Sequence, residues 1–351
     1  MGLSDLASLE LVRVSLRLRH PHVAAHGTEV ARDVILVGWT RPDGATGWGE
    51  CPTLSTFGYA EEITPTAWAF LRDVVGPALV EGQLPVVEGA PMAMGAVLDA
   101  RLDARLVAEG RRLVDHLGAS DAPRPICTVV GLDSPLAEGD GPVKVKVTPR
   151  TVDRLRTLRE EHPDRAMAVD ANGSFGNWDD VPAWLADLDL LYVEQPLPPG
   201  DLEGHVRLRD RLGVRVCLDE SVCSPRDLAR AIAADALDVL NVKPARVGGQ
   251  EVAARLVGEA AGSGCRVLVG GMLETAVGRA GALAVAGLPG VDLPTDLGPS
   301  SRYFELDVAH PVELDGSGRL PVPPGPGCGV VPDPARLAGV STDRVVLSRG
   351  L

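Results

Sequence analysis

The run Val143-Lys144-Val145-Lys146-Val147 is the first of six short apolar runs, and most of the six end in a charged residue. Each run is rich in Val and Leu, which is typical of parallel strands buried on both faces. Helical patterns separate the runs, and one of them opens with Ser224 as N-cap and Pro225 at its first position. Strands that alternate with helices indicate βαβ units. The other five runs are Ala166-Met167-Ala168-Val169-Asp170, Leu190-Leu191-Tyr192-Val193-Glu194, Val214-Arg215-Val216-Cys217-Leu218-Asp219, Val239-Leu240-Asn241-Val242-Lys243 and Arg266-Val267-Leu268-Val269-Gly270-Gly271.

The charged residues of these runs are evenly spaced. Lys146, Asp170, Glu194, Asp219 and Lys243 follow one another at intervals of 24 or 25 residues. Each interval is the length of one strand and one helix, so every charged residue falls at the C-terminal end of its strand. In a closed βα barrel these ends meet at one mouth. A doubly wound open sheet would spread them along a line, and no GxGxxG motif follows the first strand, so we predict a barrel.

The two ends of the barrel region have their own signatures. We expect the first strand at 126–130 and the last strand near 291–296. Only about a dozen residues, Gly131 to Pro142, separate the first strand from the second, which is too short for a regular crossover helix. The first helix is therefore expected to be missing or vestigial, and the predicted fold class is α/β, with a closed βα barrel.

The remainder of the chain predicts a second domain. Two alternating runs, at 9–16 and 34–39, precede helical patterns at 64–79 and 95–112, which indicates an α+β domain. A polar segment from His20 to Gly27 is expected to form a loop that could cover the mouth as a lid. We place the α+β capping domain at 1–95, the barrel at 96–299, and expect the segment 300–351 to return to the cap.

Composition excludes several classes of protein. The 351 residues carry a formal net charge of -14, which disfavours nucleic-acid and anionic-membrane partners. No signal peptide and no membrane-spanning run is evident. The six cysteines form no CxxC pair and are expected to be reduced thiols of a cytoplasmic protein.

Lysine is unusually rare in this chain. Of the 34 basic residues only Lys144, Lys146 and Lys243 are lysine. An amine can lose its proton, whereas a guanidinium cannot do so in a protein. Their survival in an arginine-rich chain therefore suggests acid–base chemistry, although chance is the alternative.

Three acids and three lysines are predicted to share the mouth. Asp170, Glu194 and Asp219 are hard oxygen donors that suit Mg²⁺ or Mn²⁺, although strand-end acids also serve as helix N-caps. Lys144 and Lys146 point to the same side of one strand and, with a divalent cation nearby, are expected to lower each other's pKa, so that one can act as a base. Together with Lys243 they fit removal of a proton alpha to a carboxylate, and a Schiff-base lysine is the competing interpretation. Further candidates for substrate contact are Asn172, Ser221, Gly270, Gly271 and Met272.

These motifs resemble a known family. Lys144-Val145-Lys146, Asp170-Ala171-Asn172, Glu194-Gln195-Pro196, Asp219-Glu220-Ser221, Asn241-Val242-Lys243-Pro244 and Gly270-Gly271-Met272-Leu273-Glu274 are similar to motifs of the enolase superfamily. Within it they resemble the muconate-lactonizing subgroup, most closely its o-succinylbenzoate synthases. Gly49-Glu50-Cys51, followed by Tyr59 and Glu62, resembles the capping domain of that family.

The resemblance implies an α/β fold, a (β/α)7β modified TIM barrel with an α+β capping domain, and Mg²⁺ on Asp170, Glu194 and Asp219. It also implies that Lys146 removes the alpha proton of 2-succinyl-6-hydroxy-2,4-cyclohexadiene-1-carboxylate and then protonates the departing hydroxyl. Lys243 would hold the enediolate by its charge, and Lys144 would lower the pKa of Lys146. The products would be 2-succinylbenzoate, a precursor in menaquinone biosynthesis, and water.

Other functions remain open at this stage. The same residues could support N-succinylamino acid racemisation, dipeptide epimerisation or cycloisomerisation. A non-catalytic barrel that binds a metal and a carboxylate, or a Schiff-base aldolase, would belong to different classes. The expected partner is a small carboxylate, and the oligomeric state is left open.

Overall fold

An antiparallel meander begins the chain. The structure is a computed structural model, and it describes residues 4–24, 27–131, 136 and 139–349. Strands β1 (Ser8–Ala24), β2 (Gly27–Thr40) and β3 (Thr46–Cys51) pair in sequence order. The prediction of a loop from His20 to Gly27 is wrong for residues 20–24 and 27, which belong to β1 and β2 and pair after a register shift between Arg17 and His22, while residues 25–26 lie outside the described residues.

Helices follow the meander. α1 (Thr64–Phe70) continues through a π-helical turn (Leu71–Val75) into α2 (Gly76–Val80), and α3 (Pro91–Glu109) and α4 (Leu113–Leu117) come next. α3 begins four residues before the predicted start, because Pro91 is well suited to the first helical position. It packs directly on β3: a Cβ on Gly49 would lie 2.0 Å from the Ala96 carbonyl oxygen.

Seven parallel strands form a curled sheet in sequence order. They are β4 (Thr128–Gly131), β5 (Val143–Lys146), β6 (Met167–Asp170), β7 (Val193–Glu194), β8 (Val216–Leu218), β9 (Val239–Val242) and β10 (Arg266–Val269). Helical segments connect and follow them: α5 (Arg154–Glu161), a 3₁₀ helix (Ala183–Leu188), α6 (Leu202–Leu212), α7 (Pro225–Ala233), α8 (Gln250–Gly262) and α9 (Ala276–Val285).

An extended segment closes the ring between β10 and β4. Leu293 donates its backbone N–H to the Val267 carbonyl over 3.1 Å, and Cys127 donates to the Thr295 carbonyl over 2.7 Å. The segment thus takes the place of the eighth strand, as the sequence indicated. The prediction of a (β/α)7β barrel with an α+β cap is confirmed. The predicted absence of a first helix falls mostly outside the described residues, and no helix occurs at 136 or 139–142.

The C-terminal segment contacts both the cap and the barrel. A 3₁₀ turn (Ser300–Arg302) and α10 (Pro334–Val340) precede β11 (Ser341–Ser348), which pairs with β1 to give the sheet order β11-β1-β2-β3. Helix α3 packs against β3 at Gly49 and against the barrel at Gly248. Because α3 contacts both domains, the residue limits of the two domains remain a prediction. In the described part of the chain, no helix is long and apolar enough to cross a membrane. All six cysteines are free thiols.

Cap and barrel share apolar packing next to the mouth. Met272, in the turn after β10, lies in the same buried cluster as Trp39 and Trp68 of the cap. Val277 of α9 packs with Val14 of β1 in a second cluster. The end of β10 is therefore held against the cap, which fixes one side of the mouth.

Candidate active site

The three predicted metal ligands lie on adjacent strand ends. Asp170 and Glu194 are the last residues of β6 and β7 and are paired in register. Asp219 directly follows β8. All three are buried, with Glu194 and Asp219 showing 0% exposure. Because the strands are parallel and each carboxylate stands at the C-terminal end of its strand, all three lie at one end of the barrel, as the spacing predicted.

Lys144 lies one pleat deeper in the barrel than Lys146. Its Nζ is 3.0 Å from both Glu194 oxygens and also donates to Asp296. Burial alone would lower the pKa of Lys144, but the charges of Asp296 and Glu194 more than offset it, and the pKa lies well above its usual value. The two carboxylates thus stabilise the charged form of Lys144, and the expected effect of Lys144 and Lys146 on each other beside a divalent cation stays a prediction.

Glu194 is buried and accepts hydrogen bonds from Lys144 and Asn241. Burial raises its pKa to about 8, against the attraction of Lys144 and with the repulsion of Asp170 and Asp219. Asn241 donates its side-chain amide to Glu194 over 2.9 Å. A Cβ on Gly270 would lie 2.3 Å from the Asn241 side-chain oxygen, so glycine at 270 leaves room for this amide.

Two cations hold Asp219. Lys243 donates to one carboxylate oxygen over 2.7 Å, and Arg246 donates to the other. Burial would raise the pKa of Asp219, but Arg246 and Lys243 reverse the effect and lower it. Both cations also donate to the hydroxyl of Tyr59 from the cap, over 2.8 Å for Lys243 and 2.7 Å for Arg246. A cap residue thus lies next to a predicted catalytic lysine.

Lys146 has a different environment. It is half-buried, and its Nζ lies 3.4 Å from the side-chain oxygen of Asn172. Asn172 in turn donates to Glu220 over 3.1 Å and has a left-handed backbone with φ +44°. Burial, with the charge of Asp219, raises the pKa of Glu220 to about 7. Lys146 forms no ion pair with any described carboxylate.

Ser221 belongs to a structural hydrogen-bond network. Its hydroxyl donates to the Pro199 carbonyl and accepts from the side chain of Gln195. The Gln195 side-chain oxygen accepts the backbone N–H groups of both Asp219 and Ser221, each over 3.1 Å. Gln195 therefore ties the end of β7 to the end of β8, and the predicted substrate contact of Ser221 stays a prediction.

The turn after β10 is held from several sides. Gly271 donates its N–H to Asp296 over 3.0 Å, and Met272 donates to Glu274 over 2.8 Å. The Met272 side chain is buried, at 6% exposure, and Leu273 has a left-handed φ of +57°. Substrate contacts of Gly270, Gly271 and Met272 likewise stay predictions.

The donor atoms suit a hard cation. Besides the three acids, Glu220 Oε2 and Asn241 Oδ1 are buried acceptors without a hydrogen-bond partner among the described residues. Such atoms are costly unless a donor or a cation joins them, and an all-oxygen set favours Mg²⁺ or Mn²⁺. As the described side chains stand, however, no three His, Cys, Asp or Glu converge tightly enough to hold a metal ion. In this arrangement the carboxylate oxygens of Glu194 and Asp219 accept from two amines and a guanidinium.

Sequence reasoning gave no role to several residues of the site. Gln195, Glu220 and Asn241 stand inside the quoted motifs, Arg246 follows the motif that ends at Pro244, and their position beside strand ends was the available signal. Asp296 ends the closing segment and carried the same signal. The contact of Tyr59 joins residues 184 positions apart, and no local pattern predicts it.

This chain is similar to known proteins over most of its length. Residues 135–336 match the family model described as enolase C-terminal domain-like. An N-succinylamino acid racemase from Amycolatopsis sp. is 37% identical over 97% of this chain and 98% of its own length. An o-succinylbenzoate synthase from Bacillus subtilis (strain 168) is 32% identical over 93% of this chain and 94% of its own. The crystal structure of an enolase superfamily member from Listeria innocua has a TM-score of 0.90 at 27% identity, covering 99% of this chain and 100% of that one.

The matched region includes every strand-end acid and all three lysines of the mouth. The curated relatives span nearly the whole chain, cap included, but their names describe two different reactions. The comparisons therefore show the family but not the reaction. This chain belongs to the enolase superfamily.

Proposed function

We propose that this chain is an o-succinylbenzoate synthase, a Mg²⁺-dependent lyase that dehydrates 2-succinyl-6-hydroxy-2,4-cyclohexadiene-1-carboxylate to 2-succinylbenzoate. The observation that carries the proposal is the difference among the three lysines. Lys144 and Lys243 are buried and ion-paired, whereas Lys146 is half-buried and forms no ion pair with a described carboxylate. A general base must lose its proton easily, and a carboxylate partner opposes this.

In this mechanism Lys146 removes the proton alpha to the substrate carboxylate. Asp170, Glu194 and Asp219 would hold Mg²⁺, which when bound supplies positive charge beside that carboxylate. Lys243, close to Asp219 and Tyr59, adds a second positive charge near the carboxylate end. Lys146 then returns its proton to the departing hydroxyl, so that one residue acts first as base and then as acid on the same face.

Racemisation of N-succinylamino acids is the second candidate. The Amycolatopsis relative with that name is 37% identical to this chain, against 32% for the Bacillus synthase. A racemase needs an acid–base group on each face of the alpha carbon, and Lys146 and Lys243 would supply them. Dipeptide epimerisation would use the same pair, and a non-catalytic carboxylate-binding barrel would use neither.

The deciding experiment is a dehydration assay with Mg²⁺ and with EDTA. The synthase predicts rapid, EDTA-sensitive formation of 2-succinylbenzoate, lost in Lys146→Ala. The same samples, in D₂O, are given N-succinylamino acids and followed for exchange of the alpha hydrogen. Exchange and racemisation without dehydration would replace the synthase by the racemase. The absence of both reactions would favour the non-catalytic barrel.

A further inference from the structure

One arginine of the cap reaches across to the turn after β10. Arg32, on β2, is fully buried at 0% exposure. Its guanidinium donates to the carbonyls of Pro52 and Thr53, over 3.0 Å for Thr53, in the segment after β3. It also donates to the Met272 carbonyl over 2.9 Å, although the two residues are 240 positions apart. A single side chain therefore joins the cap to the barrel.

The turn that Arg32 contacts has an unfavourable backbone. Leu273 has φ +57°, a left-handed conformation that residues with a Cβ seldom adopt. Such a conformation persists only where its surroundings hold it in place. Arg32 holds the carbonyl before Leu273, and Arg279 donates over 3.0 Å to the carbonyl of Glu274 after it. The strained residue is thus fixed on both sides by buried guanidinium groups.

The same turn connects to the lysines of the mouth. Gly271 donates its N–H to one oxygen of Asp296 over 3.0 Å. The other oxygen of Asp296 accepts from Lys144. A displacement of the turn would therefore move the carboxylate that holds Lys144, and Gly270 and Gly271 would move with it.

A second cap residue, Glu50, contacts the start of α9 through hydrogen bonds that do not involve Arg32. Glu50 accepts the N–H and hydroxyl of Thr275, over 2.9 and 2.6 Å, and the N–H of Gly278 over 2.9 Å. These bonds secure the start of α9 without Arg32. Removing the Arg32 side chain should therefore loosen the turn while α9 stays docked.

We infer that Arg32 is a positioning residue: by holding the Met272 carbonyl it keeps the left-handed turn at 271–274 in place and thereby orders the Asp296 and Lys144 side of the mouth. Burial lowers the pKa of Arg32, and Glu29, 3.8 Å from the guanidinium, is the nearest of the acids that oppose this effect. The kinetic part of this inference rests on the proposed function, and the structural part does not.

Hydrogen exchange tests the structural part on the whole protein, without substrate. Arg32→Met keeps the length of the side chain but has no donor, and Arg32→Lys keeps one charged donor. The control is Arg13→Met, which removes a partly exposed arginine of the same sheet that pairs with Asp33. We expect Arg32→Met to raise exchange at 271–274 at least about tenfold, Arg32→Lys to lie between, and the control to match the wild type. Unchanged exchange at this turn in both Arg32 variants would overturn the inference.

Kinetics test the consequence for the mouth. We expect kcat of Arg32→Met to fall about 100-fold, with a smaller change in KM, because misplaced groups affect the chemical step more than binding. Arg32→Lys should recover part of the loss, which a general loss of packing would not explain. If the wild type dehydrates none of the proposed substrate, the proposed function fails while exchange still decides on Arg32. If Arg32→Met unfolds, Arg32→Lys is judged by the same two criteria.

Discussion

The amine of Lys144 lies between the carboxylates of Glu194 and Asp296, 3.0 Å from each oxygen of Glu194. Both partners raise the pKa of Lys144 more than its burial lowers it, so the amine keeps its proton. The carboxylates of Asp296 and Glu194 therefore favour the charged form of Lys144. Asp296 becomes an important residue, because it orients this charge and also holds the Gly271 backbone.

Asp296→Asn should impair the chemical step. The substitution keeps the shape but removes one of the two negative partners of Lys144, so the amine can leave its place beside Glu194. We expect about a 10- to 100-fold loss of kcat, as for other residues that orient a catalytic group. The measurement is the initial rate of dehydration or of alpha-hydrogen exchange in D₂O.

Asp292→Asn is the matched control, since Asp292 lies on the same segment but pairs with Arg266 at the surface. Its kcat should stay within about twofold of the wild type, because exposed ion pairs contribute little. Equal rates in Asp296→Asn and Asp292→Asn would contradict the role of Asp296.

Asp219→Asn should abolish stabilisation by magnesium. A ligand that binds only the folded state adds about 2.7 kcal/mol at a hundredfold excess over its Kd. The wild type should therefore show a rise in Tm with Mg²⁺ that EDTA reverses. Asp219→Asn should show no such rise, whereas Asp210→Asn, at an exposed site on α6, should behave as the wild type. An undiminished rise in Asp219→Asn would remove Asp219 from the metal site.

The sequence could place the acids and lysines of the mouth because two regularities act together. Each βα unit has nearly constant length, so Asp170, Glu194 and Asp219 recur at strand ends, and the period of two along β5 turns Lys144 and Lys146 to the same side. Both regularities are local. They require no knowledge of how distant segments pack.

The partners of those residues could not be predicted in the same way. Lys144 meets Asp296 across 152 positions, and Arg32 meets Met272 across 240. Such pairs depend on the closure of the barrel and on the docking of the cap, which no short pattern specifies. The like charge of Lys146 beside Lys144 was visible in the sequence, whereas the contact of Lys144 with Asp296 was not.

Lys243→Arg should separate the two candidate reactions. Arginine keeps a positive charge next to Asp219 and Tyr59 but cannot give up its proton in a protein. A one-base dehydration that uses Lys146 should retain activity, reduced about 10-fold by the altered geometry. A two-base racemisation should be lost entirely. The assay compares both reactions in one preparation, and complete loss of dehydration would assign Lys243 an acid–base role.

Asp99→Asn should change how stability depends on pH. Asp99, on α3, is buried between cap and barrel and accepts the N–H of Gln250, the first residue of α8, over 2.9 Å. Burial raises its pKa from 3.8 to about 7. Between about pH 4 and 7 the folded protein therefore holds a proton that the unfolded chain has released. The contribution of Asp99 to the free energy of unfolding is greatest below pH 4 and is lost as the pH rises through 7.

Asparagine retains an oxygen for Gln250 but does not titrate, so the variant should escape this loss. Relative to the wild type, the free energy of unfolding of Asp99→Asn should increase from pH 4 to pH 8, by at most about 4 kcal/mol for a shift of about three pKa units. Urea unfolding at a series of pH values measures the difference. The exposed control Asp210→Asn should run parallel to the wild type. A constant difference between Asp99→Asn and wild type across this range would show that Asp99 has the same pKa in the folded and the unfolded protein, and that this carboxylate is better solvated than its burial implies.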